Sequence, residues 1–298
     1  MNKKVHLQRG VPFLFYELHD RIYMTVRVKD ILESINIEAP FSLAESWDNV
    51  GLLVGNPEQE VTAVLAGLDP TNRLVDEAIA LGANTIITHH PVIFKPLSTI
   101  DTTEPNGRLL EKALSNHIAI IGCHTNFDSA REGVSDYLAL QLGLKNLSPL
   151  VASSDNDTAG TGLGRIGTYP SPLTSADFLA RLLTALNLPC VQMAGLFPEK
   201  ISTVAICGGS GSDLAPVAYR RGADVYLSAE IKHSTAVWAA ESNFCVIDGT
   251  HYATEKPAVA LLVKKLKEAG DKKGWGIEIL QTKEEHHPFV LMDKNYQP

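Results

Sequence analysis

Residues 61–90 read VTAVLAGLDPTNRLVDEAIALGANTIITHH, and the order of patterns within them decides the fold. The apolar run from Val61 to Ala66 predicts a buried strand. Leu74, Val75, Ala78 and Ile79 then recur at helical spacing, Gly82 stops the helix, and Thr85 to Thr88 supplies a second run. Strand, helix, strand is a parallel βαβ unit. It ends on His89-His90-Pro91, at the carboxyl end of a strand, where open α/β sheets gather their ligands.

Residues 201–230, ISTVAICGGSGSDLAPVAYRRGADVYLSAE, repeat the pattern without a gap at an offset of 140 positions, matching Val64 with Val204, Leu74 with Leu214 and Gly82 with Gly222. Farther on, Ile118 to Ile121 matches Phe244 to Ile247. Each of these strands runs into a His followed four residues later by an acid, His124 with Asp128 and His251 with Glu255. An internal repeat of this kind predicts two related α/β domains, each with a mixed or parallel sheet flanked by helices. The expected boundaries are 25–150 plus 249–298 for the first domain and 151–248 for the second. The Ser-, Asp-, Thr- and Gly-rich stretch from Val151 to Gly164 is expected to be the linker between them. After Glu255, Pro257 is expected in the first turn of a helix whose stripe Val259, Leu262, Val263 and Leu266 packs back on the first domain. Residues 1–24 read as an N-terminal extension with Met24 as an alternative start, a genuine first strand or helix being the competing reading.

The composition is that of a globular chain, 45% hydrophobic and 20% charged, with a formal net charge of −8 that opposes non-specific nucleic-acid binding. Cys123, Cys190, Cys207 and Cys245 are scattered and form no C-x-x-C pair, so neither a disulfide framework nor a thiolate zinc site is expected and a cytoplasmic location fits. No apolar run is long enough to suggest a membrane span.

Three clusters carry chemistry, all placed directly after predicted strands: His89-His90, His124 to Asp128, and His251 to Glu255. Two adjacent histidines on extended backbone point apart and suit two metals better than one, although alone they also fit an ordinary polar loop. On a helix, His251 and Glu255 share a face and can approach one ion. Imidazole and carboxylate without thiolate suit Zn²⁺, Fe²⁺ or Mn²⁺. Gly208 to Ser212 reads either as a phosphate cradle or as a strand-to-helix turn. Asp48 is a candidate hydrogen-bond partner for a ligand histidine, Trp47 reads as packing rather than as a substrate platform, and His286 and His287 read as a surface loop.

Together, Trp47-Asp48-Asn49-Val50-Gly51-Leu52, Thr88-His89-His90-Pro91, His124-Thr125-Asn126-Phe127-Asp128 and Gly249-Thr250-His251-Tyr252-Ala253-Thr254-Glu255 resemble the motifs of the Nif-three-like family, also described as dinuclear-metal-centre hexamers and called GTP cyclohydrolase 1 type 2 homologs. The resemblance runs from about Val26 to the C-terminus. It implies two divalent ions per chain, with His90 and Asp128 on one, His89 and His251 on the other, and Glu255 bridging both. It also implies a homohexamer. Some relatives carry a long insertion between their halves, for which residues 150–200 are too short. Where many relatives read Thr-Gly-Asp, this chain has Ser228-Ala229-Glu230, followed by Lys232. Glu230 and His124 are the catalytic candidates, with a salt bridge to Lys232 or a neighbour as the blander role for the first. The expected function is a metal-dependent hydrolase of a small molecule such as GTP or another nucleotide or heterocycle. The alternative is a non-catalytic metal-binding, metal-delivery or regulatory ring.

Overall fold

The computed structural model describes residues 25–153 and 160–292, so the N-terminal extension expected at 1–24 lies outside the described residues. In chain order the elements are α1 (Val28–Glu38), β1 (Gly51–Val54), β2 (Ala63–Gly67), α2 (Asn72–Leu81), β3 (Thr85–Thr88), α3 (Pro105–Ser115), β4 (Ala119–Gly122), α4 (Thr125–Ser129), α5 (Val134–Gln141), β5 (Lys145–Ala152), β6 (Gly162–Thr174), α6 (Ser175–Leu186), β7 (Gln192–Ala194), β8 (Lys200–Ser210), α7 (Ala215–Arg220), β9 (Val225–Ala229), α8 (His233–Glu241), β10 (Cys245–Asp248), α9 (His251–Lys273) and β11 (Glu278–Gln281). They form two mixed sheets, ordered β1-β4-β3-β2-β11 and β5-β6-β8-β9-β10-β7 among the described residues.

The repeat is visible in the strand register. Val64 lies opposite Thr85 and Thr85 opposite Ala119 in the parallel trio β2-β3-β4. Val204 lies opposite Val225 and Val225 opposite Cys245 in β8-β9-β10. Side chains alternate across each sheet, as a period of two requires. In the first sheet Val64, Ala66, Ile87 and Ile121 face α1 and α9, while Leu65, Ile86 and Ile120 face α2 and α3. In the second, Val204, Ile206 and Leu227 face α5 and α6, while Ala205, Tyr226 and Val246 face α7 and α8.

Two local expectations fail for identifiable reasons. Val151 pairs with Leu163 and Ala152 with Gly162, so both ends of the supposed linker belong to one antiparallel pair, and the chain has entered the second sheet by Lys145. Polar, Gly-rich composition marks connections within a sheet as readily as those between domains. Pro257 lies inside α9, which already begins at His251. An interior proline costs about 3 kcal/mol. It is outweighed by Val259, Leu262, Val263 and Leu266, buried beside Ile31 and Ile35 of α1 at about 1.5–3 kcal/mol each.

Helix α9 thus starts at the carboxyl end of β10, in the second half, and buries its body against the first sheet. Its first two turns, carrying His251 and Glu255, stand where the carboxyl ends of both parallel trios meet. No helix among the described residues is long and apolar enough to cross a membrane.

Candidate metal centre

Strand β3 ends at Thr88, whose hydroxyl donates to the carbonyl of His90 at 2.7 Å. The next two side chains turn opposite ways. His89 Nδ1 lies 2.9 Å from the carbonyl oxygen of Cys123 at the end of β4, and His90 Nδ1 lies 2.7 Å from Asp69 Oδ1 beyond β2. His124, which precedes α4, holds Nδ1 at 2.9 Å from Asp48 Oδ1, and His251 holds Nδ1 at 3.0 Å from Glu230 Oε1. A carbonyl or carboxylate oxygen only accepts, so each of these contacts places the proton on Nδ1 and leaves Nε2 as the ligand atom. Such outer partners commonly orient metal-binding imidazoles.

The Nε2 atoms turn toward two buried carboxylates. Glu255 Oε2 lies 2.9 Å from His251 Nε2 and 3.1 Å from His90 Nε2, and those nitrogens are 3.2 Å apart. Glu255 Oε1 lies 3.6 Å from His89 Nε2, which is 3.7 Å from Asp128 Oδ1. Three groups of ligand-capable residues result, each with ligand atoms within 4.8 Å of one another: His90, His251 and Glu255; His89, Asp128 and Glu255; and His89, His90 and His124. His89 Nε2, Asp128 Oδ1 and Glu255 Oε2 are buried without an aligned hydrogen-bond partner among the described residues. A buried polar atom left so costs about 1–3 kcal/mol, and three in one place fit a cation-binding donor set. The grouping differs from the pairing implied by the resemblance. His89 falls with Asp128 because it faces β4 and α4, and His90 falls with His251 because it faces Asp69 and α9.

The electrostatics follow from this crowding. Burial opposes a charged His90, but Asp69 and Glu255 outweigh it and push its pKa up to about 10. His251 is likewise desolvated, yet Glu255 and Glu230 raise it to about 9. Glu255 is buried too, but the charge of His89 and the contacts of His251, His89 and His90 hold its carboxyl well below the usual range. Burial pushes Asp128 up.

Three residues with positive φ surround His251 and Glu255: Gly209 (+64°), Glu230 (+53°) and Thr250 (+62°). For the β-branched Thr250 this is a strained conformation, of a kind that clusters at functional sites. Lys232 pairs with Asp213 at 2.7 Å, so of the partners expected for Glu230 the structure gives not Lys232 but another, His251. The glycine stretch is no phosphate cradle at its first two positions. Gly208 and Gly209 lie within the last three residues of β8, and their N–H groups donate to Ser135 and Thr254. A Cβ on Gly209 would lie 2.0 Å from Glu255 Oε1, so the glycine makes room for that carboxylate.

Asp69 and Glu285 were not anticipated. Glu285 Oε1 accepts the N–H groups of Leu68 and Asp69, both at 2.8 Å, and its other oxygen pairs with Lys256, beside Glu255. It thereby ties the C-terminal segment to the loop that orients His90. An acid at the end of β2 could have flagged Asp69, whereas Glu285 was overshadowed by His286-His287. His286 is exposed, and His287 contacts Thr250 Oγ1 at 3.1 Å and the Tyr252 ring at 5.2 Å without joining the ligand-capable groups. Asp48 does bond a histidine of the cluster, His124. Trp47, expected to pack, is 58% exposed.

The family model of DUF34/NIF3 (NGG1p interacting factor 3) matches residues 26–288. A Streptomyces coelicolor protein named GTP cyclohydrolase 1 type 2 homolog is 35% identical over 269 residues, spanning 89% of this chain and 94% of that one. A Clostridium acetobutylicum protein of the same name is 34% identical over 266 residues, spanning 89% and 99%. Among solved structures, a Bacillus cereus protein related to NIF3 superposes with a TM-score of 0.84 at 25% identity, covering 90% of this chain and all of its own. A Staphylococcus aureus hypothetical protein reaches 0.80 at 31% identity with the same coverage. The match spans both sheets and every residue of the histidine–carboxylate cluster: the chain belongs to the DUF34/NIF3 family.

Proposed function

We propose that this protein is a divalent-metal-dependent hydrolase in which His89, His90, Asp128, His251 and Glu255 hold two ions and which acts on GTP or another nucleotide or heterocycle. The observation that carries the proposal is the convergence of His89, His90 and His251 on the two buried carboxylates of Asp128 and Glu255, with His124 beside the first two and every one of the four imidazoles holding Nδ1 against an oxygen acceptor. A nitrogen and oxygen donor set suits Zn²⁺, Fe²⁺ or Mn²⁺. Two such ions, when bound, supply an activated water and stabilise a developing oxyanion.

The chain's own residues have separable tasks. Glu255 presents one oxygen to the His89 and Asp128 side and the other to His90 and His251, which suits a bridge. Asp69, Glu230 and the Cys123 carbonyl fix the orientation of three ligand imidazoles. His124, held by Asp48, keeps Nε2 for moving a proton or joining the ligand set. The nucleotide assignment is supported by the relatives' name. Glu255 and His89 are each 3% exposed, which favours retained ions over a delivery site that must open to a recipient. The test is a nucleotide and phosphoester panel offered to metal-loaded and chelator-treated protein. Product released only by the loaded form supports the proposal, and identical blanks reject it.

Metal uptake is expected to release protons. Asp69 and Glu255 raise the pKa of His90, and Glu255 and Glu230 raise that of His251, so the metal-free pair holds a proton between the facing Nε2 atoms more firmly than free imidazoles would. Coordination requires the unprotonated Nε2, so binding at neutral pH should expel protons and strengthen as pH rises. Calorimetric titration in two buffers of different ionisation enthalpy reads this directly. A binding heat independent of buffer would contradict it.

A further inference from the structure

Trp47, Phe94 and His124 form an aromatic corner at the rim of the cluster. Trp47 and Phe94 meet edge to face with centroids 5.8 Å apart, and His124 lies 6.3 Å from the first and 6.2 Å from the second. The same imidazole stands 5.2 Å from His89 and 5.5 Å from His90, so a single ring separates the corner from the proposed ligands. Edge-to-face contact leaves other ring faces open, and Trp47 is 58% and Phe94 42% exposed.

These exposed rings are held in place by polar anchors on either side. Asp48 accepts from the N–H and hydroxyl of Thr125 as well as from His124. Asn49 Nδ2 donates to the carbonyl of Ile93, the residue before Phe94, and Glu45 N donates to the Thr125 hydroxyl. A rigid pair of open aromatic faces beside a reactive centre is suited to planar rings, because stacking uses the π-face that every base presents.

We infer that Trp47 and Phe94 are the subsite for the substrate's planar heteroaromatic ring, holding its edge toward His124 and the metal ligands. The inference rests on the hydrolase reading and narrows it, since a site that grips the ring beside the ions directs attack at the heterocycle. The free nucleoside should therefore bind without its phosphates. Leu97 and Ile100 on the segment after Phe94 are also exposed, at 42% and 58%, which makes a second copy of the chain the competing occupant.

Calorimetry on metal-loaded protein with guanosine, adenosine, cytidine and ribose tests the subsite. At least one nucleoside is expected to bind while ribose does not. Trp47→Ala and Phe94→Ala should each weaken that binding by about five- to a hundred-fold, and Trp47→Phe should restore most of it. Metal content should stay at the wild-type level, and light scattering should give the wild-type mass, near six chains if the hexamer implied by the resemblance forms. Nucleoside affinity unchanged in both alanine variants, no binding of any nucleoside, or a smaller assembly in Trp47→Ala would overturn the inference. The two readings fail separately. Nucleoside binding without product from any nucleotide removes the hydrolase and leaves the subsite, whereas turnover with an unaltered KM in Trp47→Ala does the reverse.

Discussion

Glu255→Gln is expected to empty both metal positions at once. Each Glu255 oxygen belongs to a different ligand group, and the carboxylate is buried among His89, His90 and His251. Glutamine keeps the shape but removes the charge and turns one oxygen into an N–H donor that cannot ligate. Removing one partner from a buried charge cluster costs about 3–5 kcal/mol, or more than a hundred-fold in affinity. Elemental analysis after gel filtration should find well under one ion per chain, with the far-ultraviolet circular dichroism of the wild type. Retention of two ions would remove the bridging role.

Gly209→Ala should approach the same effect without touching a ligand. The new Cβ would lie 2.0 Å from Glu255 Oε1, and the backbone sits at φ +64°. The left-handed backbone alone costs an alanine about 1–2 kcal/mol, while the clash must displace the carboxylate itself. Gly222→Ala is the matched control, with φ +74° and nothing within 4 Å of its Cβ. Both variants should melt a few degrees lower, since 1 kcal/mol shifts Tm by about 2–4 °C at this size. Only Gly209→Ala should lose metal. Equal metal content in the two would show that Glu255 tolerates the displacement.

The parallel trios were legible because the first apolar strand of each is followed by a glycine-stopped helix pattern, and the offset that aligns Val64 with Val204 is also the offset of the strand register. The ligand-capable residues were legible for the same reason, being the chemistry-bearing side chains at strand ends. Their grouping was not. Adjacent His89 and His90 must diverge, but which one meets Asp128 depends on β4 lying on one side of β3 and β2 on the other. The role of Gly209 was not legible because its neighbour, Glu255, arrives on a helix that follows β10, two strands farther along the chain. Glu285 carried no signal, since two of its partners are backbone N–H groups that any residue would supply. The repeat is also used unequally. His90 and Glu230 occupy equivalent positions, yet one faces the cluster as a ligand candidate and the other orients His251.

The most direct measurement is a metal titration read by turnover. Protein stripped by chelator receives Zn²⁺, Fe²⁺ or Mn²⁺ in increments, with bound ions and product from GTP and a nucleotide panel followed together. A dinuclear hydrolase predicts no product from the stripped protein, a rise that accompanies filling to two ions per chain, and no further gain beyond. Two ions bound with no product from any member of the panel, or product that persists after chelation, would contradict it.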